Sequence, residues 1–135
     1  MHPINLTALV TLLALLLYMF MMVRVSRARG TSGLKAPSVV GDPTFERHYR
    51  VQMNTLESLP VFLVSLWLFS LYWGEYLAAL LGVVWIIGRA IYMLNYVEDP
   101  KKRGTGFMIQ AIALIVLIVG AIVGSISAML VTGGL

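Results

Sequence analysis

A stripe of polar side chains marks one segment of an otherwise apolar sequence. Its members stand three, four and three residues apart: Arg47, Arg50, Asn54 and Glu57. In a helix these spacings place the side chains on one face, over about 15 Å at 1.5 Å per residue. Guanidinium groups bind carboxylates, a carboxylate binds an ammonium group, and an amide binds peptide groups. The set therefore suits a small zwitterionic peptide.

A second stripe follows further along the chain. Arg89, Tyr92 and Tyr96 are spaced by three and four residues, again on one helical face, and the face leads to a loop that holds Arg103. Arg89 lies about 12 Å inside the end of its helix, and Glu57 lies at a similar depth. We expect these two charges to pair, either as a structural link between helices or as parts of one binding site.

The elements that carry these stripes must cross a membrane. Of 135 residues, 59% are hydrophobic and 12% charged, whereas soluble domains are about 45–50% apolar and about 25% charged. A water-soluble monomer and a disordered chain are both excluded. The absence of cysteine excludes disulfides, thiolate metal sites and a cysteine nucleophile, and His2 and His48 form no ligand cluster, so no metal site is expected.

Four apolar segments are long enough to span a bilayer. Their predicted bounds are 4–23, 45–73, 76–97 and 107–131. Because a backbone in lipid must satisfy its own hydrogen bonds, we predict an all-α integral membrane protein. The predicted architecture is a four-transmembrane-helix bundle that forms a single domain over residues 1–135.

Local signals refine the ends of these helices. The segment from Gly30 to Pro43 is predicted as a loop because it is rich in glycine and proline. Asp42 is the predicted N-cap of the second helix, with Pro43 as its first residue. The run Glu98-Asp99-Pro100 is expected to end the third helix, and Pro60 to kink or loosen the second.

The positive charge is distributed unevenly. Nine of the ten Lys and Arg residues lie between Arg24 and Arg50 or between Lys101 and Arg103. The positive-inside rule then places loops 24–44 and 98–106 in the cytoplasm and both termini outside. The basic charge is interpreted as a topology determinant, so no nucleic-acid partner is expected. For Arg47 taken alone, anchoring to lipid headgroups is the preferred interpretation.

The first stripe resembles a signature of a known family. The pattern Glu-Arg-x-x-Arg-x-x-x-Asn-x-x-Glu, here 46–57 and followed by Pro60, is similar to that of the MAPEG family, the membrane-associated proteins in eicosanoid and glutathione metabolism. The second stripe, Arg89-x-x-Tyr92-x-x-x-Tyr96 with Arg103 after the turn, also matches. The resemblance covers nearly the whole chain and is closest to microsomal glutathione transferase-like members, with a bacterial source expected.

The resemblance implies a homotrimer with glutathione bound between neighbouring subunits near the cytoplasmic face. It implies that one subunit holds the tripeptide through Arg50, Asn54, Glu57, Tyr92 and Tyr96, with Arg89 lining the same cavity. It further implies that Arg29 and Gln52 come from the neighbouring subunit, and that Arg103 stabilises the thiolate.

Ser58 departs from the pattern, since leukotriene C4 synthase has a tyrosine there. This departure favours a function like that of the simpler transferases.

The expected function is that of a membrane-bound glutathione transferase, with glutathione-dependent peroxidase activity as a second reaction that starts from the same thiolate. Glutathione is the cosubstrate and no tightly bound cofactor is expected; the other partners are a lipophilic electrophile or lipid hydroperoxide, and membrane lipid. A small four-span transporter is one alternative, although the first span lacks the charge that such proteins usually place there. A non-catalytic scaffold of the same fold is the other, although Arg50, Asn54, Glu57 and Arg103 are all intact.

Overall fold

Four long helices account for most of the chain. The computed structural model describes residues 4–133, and within that range it contains helices and no strand. The helices are α1 (Asn5–Ser32), α2 (Pro43–Trp73), α3 (Glu75–Glu98) and α4 (Gly104–Thr132), with a 3-10 helix (Pro100–Arg103) before α4. Each of the four is long and apolar enough to cross a membrane. The predicted all-α, multi-pass membrane architecture is confirmed.

The first helix is longer than its apolar run. The sequence predicted a span ending at residue 23 and a loop from Gly30, whereas α1 continues to Ser32 and ends at Gly33, which has a left-handed φ of 71°. The loop prediction is therefore wrong for 30–32. Hydropathy marks where lipid contact ends, and a helix can continue beyond it into water. His2 lies outside the described residues.

Two of the local predictions concern α2. The carboxylate of Asp42 accepts a hydrogen bond from the Phe45 amide at 2.8 Å, which confirms the predicted N-cap, and Pro43 begins the helix. The helix continues through Pro60 to Trp73 without a break. Proline removes one backbone hydrogen bond there, and the side chains of Leu59 and Phe62, on either side of it, are buried in the core. At the end of α3, Glu98 is the last helical residue, as predicted.

The core of the bundle forms where α2 and α3 meet. Each of these helices packs against both α1 and α4. The rings of Phe62 and Trp85 stack at 3.9 Å between centroids and 4° between planes, and Leu66 and Leu117 are fully buried beside them. Most of the remaining large apolar side chains point outward, as lipid-facing positions do.

Two glycines allow α3 and α4 to approach closely. A Cβ atom at Gly106 would lie 2.7 Å from both the Gly88 carbonyl oxygen and the Tyr92 Cα, and a Cβ at Gly88 would lie 2.6 Å from the Gln110 amide nitrogen. These neighbours are backbone atoms, which cannot move aside without moving a helix. Small residues of this kind are the usual means of close helix packing in membranes.

The Gly106→Ala substitution should therefore destabilise the protein by about 1–3 kcal/mol, because the added methyl group forces α3 and α4 apart. Thermal unfolding in detergent, followed by circular dichroism, measures the change. Gly30→Ala is the matched control, since Gly30 is helical and a Cβ atom added there would meet no neighbour within 4 Å. That control should be neutral or stabilising by up to about 1 kcal/mol. Equal unfolding midpoints for the two variants would contradict the close-approach explanation.

Candidate functional site

The two polar stripes meet at one cavity. It has a volume of about 420 Å³ and lies among α2, α3 and α4. Asn54 and Glu57 line it from α2, Arg89 and Tyr92 from α3, and Gln110 from α4. The one-face prediction therefore holds for these members of each stripe.

A direct hydrogen bond joins the stripes. The Asn54 Nδ2 donates to the Tyr92 hydroxyl at 2.8 Å, and Tyr92 is only 4% exposed. The ring of Tyr96 lies 5.5 Å from that of Tyr92, measured between centroids, one helical turn closer to the end of α3. The bond fixes the amide of α2 and the phenol of α3 in one orientation.

Arg89 is buried without a carboxylate partner. It is 4% exposed, its Nη2 donates to the Gln110 Oε1 at 3.4 Å, and its Nε and Nη1 have no hydrogen-bond partner among residues 4–133. Its guanidinium carbon lies 4.9 Å from the centre of the Tyr92 ring, a cation–π distance. Arg89 thus keeps unused hydrogen-bond donors beside the cavity.

The predicted Glu57–Arg89 ion pair does not form. Within the described part of the chain the one salt bridge is Lys102–Glu98, at 2.6 Å. Both residues line the cavity, but the Glu57 side chain is exposed, whereas the Arg89 guanidinium is turned toward Gln110 of α4. Equal depth in the membrane does not imply contact, because depth says nothing about the rotation of each helix.

Gln110 is the site residue that the sequence analysis missed. It is 3% exposed and is the only side chain of the described chain that hydrogen-bonds Arg89. A signal was available, since Gln110 is the only amide between Gly104 and the end of the sequence. An amide within a membrane span usually faces the interior of the bundle.

Arg47 belongs to the first stripe but binds backbone. Its Nη1 donates to the carbonyl oxygens of Val97 at 3.2 Å and of Glu98 at 2.9 Å. The last carbonyls of a helix have no helical partner, so this cation caps the C-terminus of α3. Arg47 thereby links the start of α2 to the end of α3, which is a more specific structural role than headgroup anchoring.

The other predicted site residues do not line the cavity within one chain. Arg50 and Arg103 are both exposed, and Arg103 donates to the Pro100 carbonyl at 2.9 Å. Arg29 donates to the Ser38 carbonyl at 2.7 Å and stacks over the Phe45 ring at 4.5 Å.

Gln52 is also turned away from the cavity. Its Nε2 donates to the Tyr18 hydroxyl of α1 at 3.4 Å. Gln52 therefore faces α1, whereas Asn54, two residues later, faces α3. A helix rotates by about 200° over two residues, which explains the opposite directions.

Comparison with known proteins identifies the family and several relatives of the chain. The sequence model of the MAPEG family matches residues 7–123. An uncharacterized protein of the cyanobacterium Synechocystis is 44% identical over 115 residues, which cover 85% of this chain and 84% of that protein. Human microsomal glutathione S-transferase 2 is 36% identical over 118 residues, 87% of this chain and 80% of the relative. Leukotriene C4 synthase of Cavia porcellus is 37% identical over 121 residues, 90% of this chain and 81% of the relative.

We expect Gln110→Leu to destabilise the protein by about 1–3 kcal/mol, because it removes the acceptor that hydrogen-bonds a buried guanidinium. Gln110→Glu, which keeps an acceptor of similar size, should unfold near the wild-type midpoint. Chemical unfolding in mixed micelles gives both values. If the leucine variant were as stable as the wild type, Gln110 would not be the group that compensates Arg89.

Proposed function

The chain belongs to the MAPEG family, and we propose that it is a membrane-bound glutathione transferase. In this proposal the protein ionises the glutathione thiol and directs the thiolate to a lipophilic electrophile or a lipid hydroperoxide. The observation that carries the proposal is the Asn54–Tyr92 hydrogen bond beside Arg89 and Glu57, around one cavity. These groups complement the functional groups of a small zwitterionic peptide.

Each chemical group of glutathione has a suitable partner in the proposed site. The carboxylate of Glu57 receives the ammonium group, and the guanidinium of Arg50 receives a carboxylate. Asn54 and Tyr92 together offer donors and acceptors to the peptide groups, while Tyr96 extends this surface. Arg89 contributes positive potential through its unpartnered nitrogens.

Exposure of two of these side chains supports an oligomeric site. Arg50 and Glu57 are exposed on the surface of a single chain. A carboxylate within a membrane span is costly when it faces lipid, and a neighbouring copy that covers Glu57 would remove this cost. We place glutathione at such an interface in a homotrimer, with Arg29 and Gln52 supplied by the neighbouring subunit.

Arg103 is the proposed catalytic residue. A thiol with a pKa near 8.5 is only a few per cent ionised at neutral pH, and the thiolate is the nucleophile. Lowering that pKa by two units requires about 2.7 kcal/mol of preferential thiolate stabilisation. Arginine suits this role because it remains protonated at all relevant pH values.

Two reactions begin from the same thiolate. In conjugation the sulfur forms a bond to carbon, and the electrophile loses a leaving group or opens a ring. In peroxide reduction the sulfur attacks the hydroperoxide oxygen, and a second glutathione completes the reduction to an alcohol, water and glutathione disulfide. Both need glutathione as cosubstrate and no further cofactor. The apolar outer surface of the bundle gives lipophilic substrates access from the bilayer.

The proposed orientation follows from the basic residues. Loops 24–44 and 98–106 face the cytoplasm and both termini lie outside, although residues 1–3 and 134–135 fall outside the described part of the chain. This orientation places Arg50 and Arg103 near the cytoplasmic face, where the proposed glutathione site lies. The α1 helix then projects beyond the membrane as far as Ser32.

Arg103→Ala should abolish the ultraviolet absorbance of the bound thiolate and reduce turnover about tenfold or more at neutral pH, because the bound thiol stays protonated. The assay uses detergent-solubilised protein with glutathione and an aryl halide, run beside a lipid hydroperoxide. Lys101→Ala is the matched control, an exposed cation two residues away. An unchanged thiolate band in Arg103→Ala would remove Arg103 from its role. No heat on adding glutathione to folded wild-type protein would overturn the proposed function as a whole.

Glu57→Gln should weaken glutathione binding about tenfold or more, because a charge-assisted hydrogen bond to the ammonium group becomes a neutral one. Isothermal titration calorimetry should show the same loss for S-methylglutathione, since the ammonium group is unchanged by methylation of the sulfur. Ser58→Ala, which alters an uncharged neighbour lining the same cavity, should bind normally. A loss confined to one of the two peptides would assign Glu57 to the sulfur end of the ligand.

A further inference from the structure

A second cavity lies at the end of the bundle that carries the basic loops. Its volume is about 600 Å³, and it is bounded by the C-terminal half of α1 and the N-terminal end of α2. Arg24 and Arg27 line it from α1, and His48 lines it from α2. Nothing in the proposed glutathione chemistry uses these three side chains.

The cavity faces away from the glutathione site. On α1, Arg24 and Arg27 are rotated by about 140–160° from Arg29, at 100° per residue. On α2, His48 is rotated by about 120° from Asn54 in the same way. This cavity and the one beside Asn54 and Glu57 share no lining residue, so a neighbouring subunit that covers the Asn54 and Glu57 side does not by itself fill this cavity.

The charge inside the cavity is positive. Arg24, Arg27, His48 and Asp42 are the titratable groups that line it. Asp42 already accepts the Phe45 amide as the N-cap of α2, which engages one of its carboxylate oxygens. The Nη1 of Arg24 is buried and has no hydrogen-bond partner within residues 4–133. A buried guanidinium nitrogen without an acceptor is a position where an anionic oxygen would be stabilised.

The cavity also has an apolar side that points into the membrane. Phe20 lies one helical turn below Arg24, and Leu94 lies about one turn inside the end of α3. Phe20 is 48% exposed and Leu94 is 57% exposed. A ligand that fills this space must be anionic at the arginines and apolar beside Phe20. A phospholipid has both an anionic and an apolar part, whereas a free anion has no apolar part.

We infer that this cavity binds the phosphate of one anionic phospholipid per chain. The phosphate oxygens accept hydrogen bonds from Arg24 and Arg27, and the acyl chains extend along Phe20 and Leu94 into the bilayer. Guanidinium groups bind phosphate through two parallel hydrogen bonds, which selects them over a single ammonium group. This site does not involve glutathione, so the proposed lipid binding can be tested independently of the proposed function.

The test counts lipids bound to the solubilised full chain by native mass spectrometry, with phosphatidylglycerol compared with phosphatidylcholine. We expect one phosphatidylglycerol per chain and at least about tenfold weaker binding of phosphatidylcholine. Arg24→Gln combined with Arg27→Gln should weaken phosphatidylglycerol binding about tenfold or more, and Arg27→Gln alone about fivefold. Circular dichroism verifies that each variant keeps its helices, and the exposed Arg27 provides the variant least disruptive to folding.

The matched control removes two basic charges outside the cavity. Lys35→Gln combined with Lys101→Gln neutralises two exposed lysines and should leave binding within about twofold of wild type. Equal losses in both double variants would show general attraction to basic loops and overturn the site. Equal binding of the two lipids would overturn selection for anionic headgroups. Displacement of phosphatidylglycerol by millimolar inorganic phosphate would assign the cavity to a free anion instead.

Discussion

Burial of one guanidinium is the constraint on which the site depends. Arg89 is enclosed between α3 and α4, and it can hydrogen-bond Gln110 only because Gly88 and Gly106 let the two backbones approach. A cation in that position is costly unless its hydrogen-bond donors find acceptors. One amide oxygen at 3.4 Å satisfies only part of that need. The fold therefore retains a partly compensated positive charge beside a cavity, where an anionic ligand would supply the missing acceptors.

The two ends of the bundle differ in how completely their polar groups are paired. At the end formed by the start of α1, the carboxylate of Glu75 accepts the Leu6 amide at 2.8 Å. The hydroxyls of Thr7 and Ser70 lie 2.7 Å apart, in hydrogen-bond contact. At the opposite end, nitrogens of Arg24 and Arg89 have no partner within the described chain. Trp85 also has a buried nitrogen without a partner among residues 4–133, but its ring lies in the apolar core against Phe62. The two cations with unpartnered nitrogens lie toward the end with the basic loops, so an anionic ligand that compensates them would bind at that end.

Hydropathy and residue spacing predicted the four helices, the Asp42 cap and the common face of Asn54 with Glu57. They did not predict the rotation of one helix against another, which depends on packing of small residues such as Gly106. For that reason the expected Glu57–Arg89 pair was wrong and Gln110 was missed, although all three residues line the same cavity. Arg47 shows the same limit: its spacing places it on the stripe, but its partners are the terminal carbonyls of α3, which carry no side-chain signature.

The exposure of Arg103 links the proposed chemistry to assembly. In bulk water a unit charge about 4 Å away contributes about 1 kcal/mol, whereas at an effective dielectric constant of about 20 it contributes about 4 kcal/mol. Ionising the glutathione thiol at neutral pH requires about 2.7 kcal/mol, which lies between these values. The guanidinium of a fully solvated Arg103 therefore stabilises a thiolate too weakly for this ionisation. The same guanidinium, shielded from water by a neighbouring subunit, stabilises it enough. The proposed activation of glutathione by Arg103 therefore requires the proposed oligomer, in which a second copy of the chain excludes water from the sulfur.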